Sequence, residues 1–149
     1  MSRIRTILHP TDFSRASTPA FKRAVEMAKD NRAQLLIVHV LAPPAPLMMA
    51  DGYVAPSVYD DMEAAARAGA QKYLRKLVQK ARQSGVRVKP LLLEGVAHER
   101  ITQAARARKA DLVVIGTHGR TGFARFFLGS VASRVLATSP CAVLTVRGK

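Results

Sequence analysis

The sequence predicts an α/β fold: one domain with a parallel sheet, doubly wound by helices on both faces. Two observations lead there. Segments of strand character alternate with segments of helical period along the whole chain. The segments Leu35-Leu-Ile-Val-His-Val40 and Leu112-Val-Val-Ile115 are short, predominantly apolar and rich in β-branched residues, as expected of strands buried on both faces. Parallel strands cannot be joined by hairpins, so each intervening helix serves as a crossover.

Ile4 to His9 reads as the first strand. Ser17-Thr18-Pro19 opens a helix, because proline is tolerated in a first turn, and Phe21, Ala24, Val25 and Ala28 share one of its faces. Leu35 to Val40 is the second strand. A stretch bearing Pro, Met and Gly, Ala42 to Pro56, is the only loop-like insertion; its Met48 and Met49 are suited to filling a gap or packing beside a ligand. A long helix follows from about Val58 to Ser84. Lys72, Arg75, Lys76 and Lys80 lie on it opposite Leu74, Leu77, Val78 and Ala81, the pattern of a solvated basic face over an apolar one. Gly85 is suited to stop that helix. Val86 to Leu93 is the third strand, Ala97 to Arg108 a helix, Asp111 to Ile115 the fourth strand, Ser130 to Thr138 a helix, and Cys141 to Val146 the fifth strand.

At 149 residues and 48% hydrophobic content the chain can bury one core without staples. Its single cysteine, Cys141, has no partner for an internal disulfide and, in an apolar strand, is expected to be buried and inert. The N-terminus lacks the apolar core of a secretory signal, and the apolar runs are too short to span a bilayer, so a soluble cytoplasmic protein is expected. The 24 Lys and Arg against 10 Asp and Glu give a formal charge of +14, which favours anionic partners in general. Aromatic residues make up only 5%, with no Trp, which argues against the stacking platforms of single-strand nucleic-acid binders.

Gly116-Thr117-His118-Gly119, followed nine residues later by Gly129-Ser130, carries the most chemistry. It sits between the fourth strand and a helix. Glycines let the backbone approach a ligand, and Gly129-Ser130 places free amides and a hydroxyl at a helix N-terminus, where the dipole favours an anion. His118, Arg120 and Arg125 add donors or positive charge nearby. The spacing matches neither the P-loop nor the dinucleotide fingerprint. Taken alone, such glycines also serve as plain turn residues.

Gly116, Gly119, Gly129 and Ser130 together fill the pattern Gly-x-x-Gly, nine residues, Gly-Ser/Thr, and in this the chain resembles the nucleotide-binding branch of the universal stress protein family. The stretches Asp111 to Gly122, Leu128 to Val135 and Pro140 to Val146 are similar to that family, as is Ile7-Leu-His-Pro-Thr-Asp-Phe-Ser14 at the first turn; Ala42 to Tyr59 matches least. The resemblance implies a five-stranded Rossmann-like sheet, like that of adenine nucleotide alpha hydrolases, in the order 3-2-1-4-5. Its switch point then lies between the first and fourth strands, beside which ligands of such sheets bind. It further implies that Pro10, Thr11 and Asp12 lie near adenine and ribose, that Val40 offers main-chain groups to the adenine edge, and that Gly116, Gly119, Gly129, Ser130 and the Val131 amide cradle phosphate, with His118 and Arg120 as added contacts. A homodimer through Cys141 to Val146 is also implied; an edge covered by the Ala42 to Pro56 loop is the alternative. Asp12 has a local alternative as a helix cap, and His9 and His39 read as structural histidines.

His9, His39, His98 and His118 lack paired-ligand spacing, so Mg²⁺ or Mn²⁺ is expected only with the phosphates of ATP. Ser130 lacks a nucleophile elbow, and no base is placed to activate water. The expectation is therefore an ATP-binding stress-response regulator or sensor that works by occupancy, with at most slow hydrolysis. The alternatives are a protein that binds nucleic acid or another polyanion through its basic surface, and an enzyme transferring an adenylyl or phosphoryl group.

Overall fold

The computed structural model describes residues 3–43, 55–118 and 128–148. Within them, β1 (Thr6–Pro10), β2 (Gln34–Leu41), β3 (Arg87–Glu94), β4 (Leu112–Gly116) and β5 (Ala142–Val146) alternate with α1 (Thr18–Asn31), α2 (Pro56–Gln83), α3 (Ala97–Ala107) and α4 (Ser130–Thr138). The five strands form one parallel sheet in the order β3-β2-β1-β4-β5, as expected.

Alternate side chains of the inner strands feed two cores. Ile7, Leu35, Ile37, Leu112 and Val114 pack with α1 and α2, whereas Leu8, Val38, Val113 and Ile115 pack with α3 and α4. Both faces are buried, which is why these strands read as apolar runs rather than alternating ones. The buried stripe of α1 is Ala20, Ala24 and Ala28, with Phe21 and Val25 only half-buried at its margin. On α2, Leu74, Val78 and Ala81 are buried while Lys72, Arg75, Lys76 and Lys80 are exposed, as the spacing predicts.

Element boundaries move by a residue or two for identifiable reasons. β1 begins at Thr6 rather than Ile4, because the amides of Arg5 and Thr6 donate to the Asp111 carboxylate at 2.8 and 2.9 Å instead of to a neighbouring strand. A 3-10 turn, Arg15–Ser17, precedes α1. Gly85 does stop α2: at φ +84° its N–H donates to Arg82 O, and Val86 N–H donates to Ala81 O, the paired bonds of a left-handed cap.

The two sheet edges differ in chemistry. Arg87, Lys89 and Pro90 are exposed on β3, a combination that discourages pairing with another chain. β5, at the other edge, carries Val143, Leu144, Thr145 and Val146 half-exposed. Cys141 lies just before that strand rather than in it, half-buried, with Sγ 3.6 Å from Ser139 Oγ. Among the described residues no helix is long and apolar enough to cross a membrane.

Candidate functional site

The carboxyl ends of β1, β2 and β4 and the N-terminus of α4 enclose a cleft of about 290 Å³. It lies at the switch point, where chains leave the sheet in opposite directions from β1 and β4. Pro10, Thr11, Asp12, Val40, Gly116, His118, Gly129, Ser130 and Val131 all line it. Gly119 and Arg120, also expected there, lie outside the described residues, as do Arg125, Met48 and Met49.

One wall is built by the start of α4. Gly129 is the N-cap, so no capping side chain competes for the amides of the first turn. Those amides and the positive end of the helix dipole suit an anion. Two bonds fix the cap: Gly129 N–H donates to Thr117 O at 2.6 Å, and Thr117 N–H donates to Val146 O at 2.9 Å, tying the site to β5. At Gly116 an added Cβ would come no closer than 3.5 Å to the protein, an ordinary contact. Packing within the protein therefore does not by itself demand glycine at 116.

The turn after β1 forms the opposite wall. Thr11 is buried and engaged throughout: its N–H donates to Val38 O, its carbonyl accepts from His39 Nδ1 at 2.8 Å, and its Oγ1 accepts from Phe13 N–H at 3.0 Å. Thr11 thus shapes the wall through its own bonds. Asp12 Oδ1 accepts from Ser14 N–H at 2.9 Å, an Asx turn, and it caps neither following helical element, whose N-caps are Ser14 and Ser17. His118 Nδ1 lies 2.8 Å from Thr117 Oγ1.

Sequence reasoning missed the apolar wall. Val38, Ala97, Ile101, Ile115 and Ala132 line the cleft and give it a surface fit for a planar ring. Ala97 and Ile101 stand one helical turn apart on α3, the spacing that could have flagged them. His39, assigned a structural role, holds Thr11 O and also lines the cleft. His9 is fully buried outside it; its Nδ1 donates to Val114 O at 2.9 Å, and burial pushes its pKa from the ordinary 6.5 down to about 4, against the opposing pull of that bond and of Asp12.

The cleft thus combines an apolar wall, an accepting carboxylate in the β1 turn and the first-turn amides of α4, a surface suited to a ligand that is part apolar and part anionic. Among the described residues no three His, Cys, Asp or Glu are grouped to hold a metal ion.

Comparisons with known proteins agree with this architecture. The universal stress protein family model matches residues 3–147. A universal stress protein of Methanocaldococcus jannaschii is 35% identical over 143 residues, covering 96% of this chain and 82% of its own length. Among solved structures, the universal stress protein UspA from Lactobacillus plantarum superposes with a TM-score of 0.84 at 28% identity, over 99% of this chain and 100% of that one. A universal stress protein solved in complex with cAMP superposes with a TM-score of 0.73 at 26% identity, over 98% of both chains. Since the match runs through all five strands and both walls of the cleft, this chain belongs to the universal stress protein family.

Proposed function

We propose that this protein binds an adenine nucleotide, ATP with Mg²⁺ or Mn²⁺, in the switch-point cleft, and acts as a stress-linked regulator or sensor through occupancy of that site. The observation that carries the reading is the glycine-capped start of α4 facing the β1 turn across one cleft. A relative of this fold solved with cAMP supports it. Gly116, His118, Gly129, Ser130 and Val131 hold the phosphates, with Gly119 and Arg120 assigned to the same group by their place in the motif. Asp12, with Pro10 and Thr11, receives the ribose, and Val40 meets the adenine edge. The metal ion, when bound, neutralises phosphate charge. Each titratable side chain at this site has a local partner, which suits holding a ligand more than activating water.

Calorimetric titration of ATP with Mg²⁺ at moderate and high salt tests the proposal. One site per chain that survives high salt is expected, because a shaped pocket is screened less than a charged surface. Gly129→Leu, at a backbone conformation any residue adopts, should weaken binding at least about tenfold while leaving the fold intact. Undiminished affinity in this variant removes the phosphate assignment.

A second reading rests on the exposed row Lys72, Arg75, Lys76 and Lys80 of α2 and the charge of +14. It makes the protein a binder of nucleic acid or another polyanion. Such binding should collapse steeply with salt and ignore Gly129→Leu.

A further inference from the structure

A second cleft, of about 220 Å³, opens on the other side of the β1 turn, between the start of α1 and the C-terminal half of α2. Thr11 and Ser17 line both clefts, so the turn is the partition between them. Its walls are aromatic. Phe13, Phe21 and Tyr73 line it, the Phe13 and Tyr73 rings stacked with centroids 5.2 Å apart. Its rim is cationic. Lys76 and Lys80 stand one turn apart on α2 and both line the cleft, with Lys76 Nζ 5.6 Å from the centre of the Tyr73 ring. Among the described residues neither ammonium has a carboxylate within 4.0 Å.

Two further features point to a ligand. Ser14 also lines this cleft, and its buried Oγ has no hydrogen-bond partner among the described residues although Ser14 is the N-cap of the 3-10 turn. Phe13 sits at φ +64°, a left-handed conformation that bulky residues rarely adopt. It is held there by its N–H on Thr11 Oγ1 and by the Asp12 turn. Backbone strain of this kind persists where the surroundings over-determine it, and functional sites are where it clusters. The strain turns the Phe13 ring into a wedge between the clefts, stacked on Tyr73 to one side and, at 4.2 Å, on His39 of the switch-point cleft to the other.

We infer that the second cleft is a binding site for a small organic anion with an aromatic body. The ring lies against Phe21, Tyr73 and the edge of the Phe13 ring, and the anionic group is taken by Lys76, Lys80 and the Ser14 hydroxyl. Because Thr11 and Ser17 line both clefts and Phe13 stacks on His39 of the switch-point cleft, its occupancy changes affinity there, and the effect is reciprocal. The coupling rests on the nucleotide reading; the site itself does not.

Naphthalene-2-sulfonate is the probe, titrated calorimetrically into the full chain. Saturable binding of one per chain is expected, weakened at least about tenfold in Lys76→Gln/Lys80→Gln and unchanged in Lys72→Gln/Arg75→Gln, which removes the same charge elsewhere on α2. Gly129→Leu should leave it unchanged. Equal affinity in the Lys76→Gln/Lys80→Gln protein, equal weakening by both double substitutions, or loss in Gly129→Leu would overturn the site. Saturating ATP should shift the probe affinity severalfold; an unchanged value overturns the coupling alone. Probe binding in a protein that fails to bind ATP leaves this site standing and removes the nucleotide reading.

Discussion

His9 is the residue whose chemistry most constrains the conditions under which the fold holds. It is fully buried, satisfied at Nδ1 by Val114 O, and has its Nε2 enclosed beside the Phe21 ring without a hydrogen-bond partner among the described residues. Burial favours the neutral ring, so the folded pKa falls to about 4 from the ordinary 6.5. The sign follows from proton counting. Between pH 6.5 and 4 the unfolded chain binds a proton that the folded chain does not, so stability falls as pH falls through that window. It is complete above 6.5, and the loss is complete below about 4. At about 1.4 kcal/mol per pH unit the contribution is about 3 kcal/mol. Denaturant melts of His9→Gln and the native chain across this window should show a shallower acid slope in the variant; equal slopes would mean that His9 is not the buried titrating group.

At the scale of elements, helix ends repeat one solution with different residues. α1, α2 and α3 all close with paired bonds around a left-handed residue: Arg32 at φ 54°, Gly85 at φ 84°, and Lys109 at φ 52°. Only Gly85 takes that conformation without a Cβ penalty. Lys109→Gly should therefore raise stability by about 1 kcal/mol, and Gly85→Ala should lower it by a similar amount. Thermal unfolding of the two variants tests the pair, and a loss in Lys109→Gly would show that its side chain contributes more than its backbone costs.

At the scale of the molecule, the contrast between sheet edges bears on assembly. β3 is guarded by Arg87, Lys89 and Pro90, whereas β5, among the described residues, has no strand on its outer side and carries half-exposed apolar side chains. An edge of the second kind is a template for another strand. We propose that two copies pair through the strand Cys141 to Val146, as the family resemblance implies. Sedimentation equilibrium should give a dimer for the native chain and a monomer for Thr145→Lys; a native monomer at high concentration would end the proposal. Thr117 N–H on Val146 O ties this edge to the glycine-capped start of α4, so assembly and the cleft share a backbone contact.

The alternation of elements and the identity of most of the cleft's polar lining were legible in the chain by itself. Local periodicity records which face of a strand or helix is buried, and Gly85 and Gly129-Ser130 mark helix ends through backbone preferences that act within a few residues. The strand order was not legible in periodicity; it came from resemblance to a family. Tertiary structure alone decided the rest. Ala97 and Ile101 of α3 become a cleft wall only once β2 and β4 bring Val38 and Ile115 opposite them. A Cβ at Gly148 would stand 2.8 Å from Ala16 O, a crowding between residues far apart in sequence. The Asp111 carboxylate reaches the amides of Arg5 and Thr6 over the same kind of distance. Contacts of this range depend on which strands are neighbours, and no local preference encodes that, because the free energy that selects it comes from burying both faces of the sheet at once.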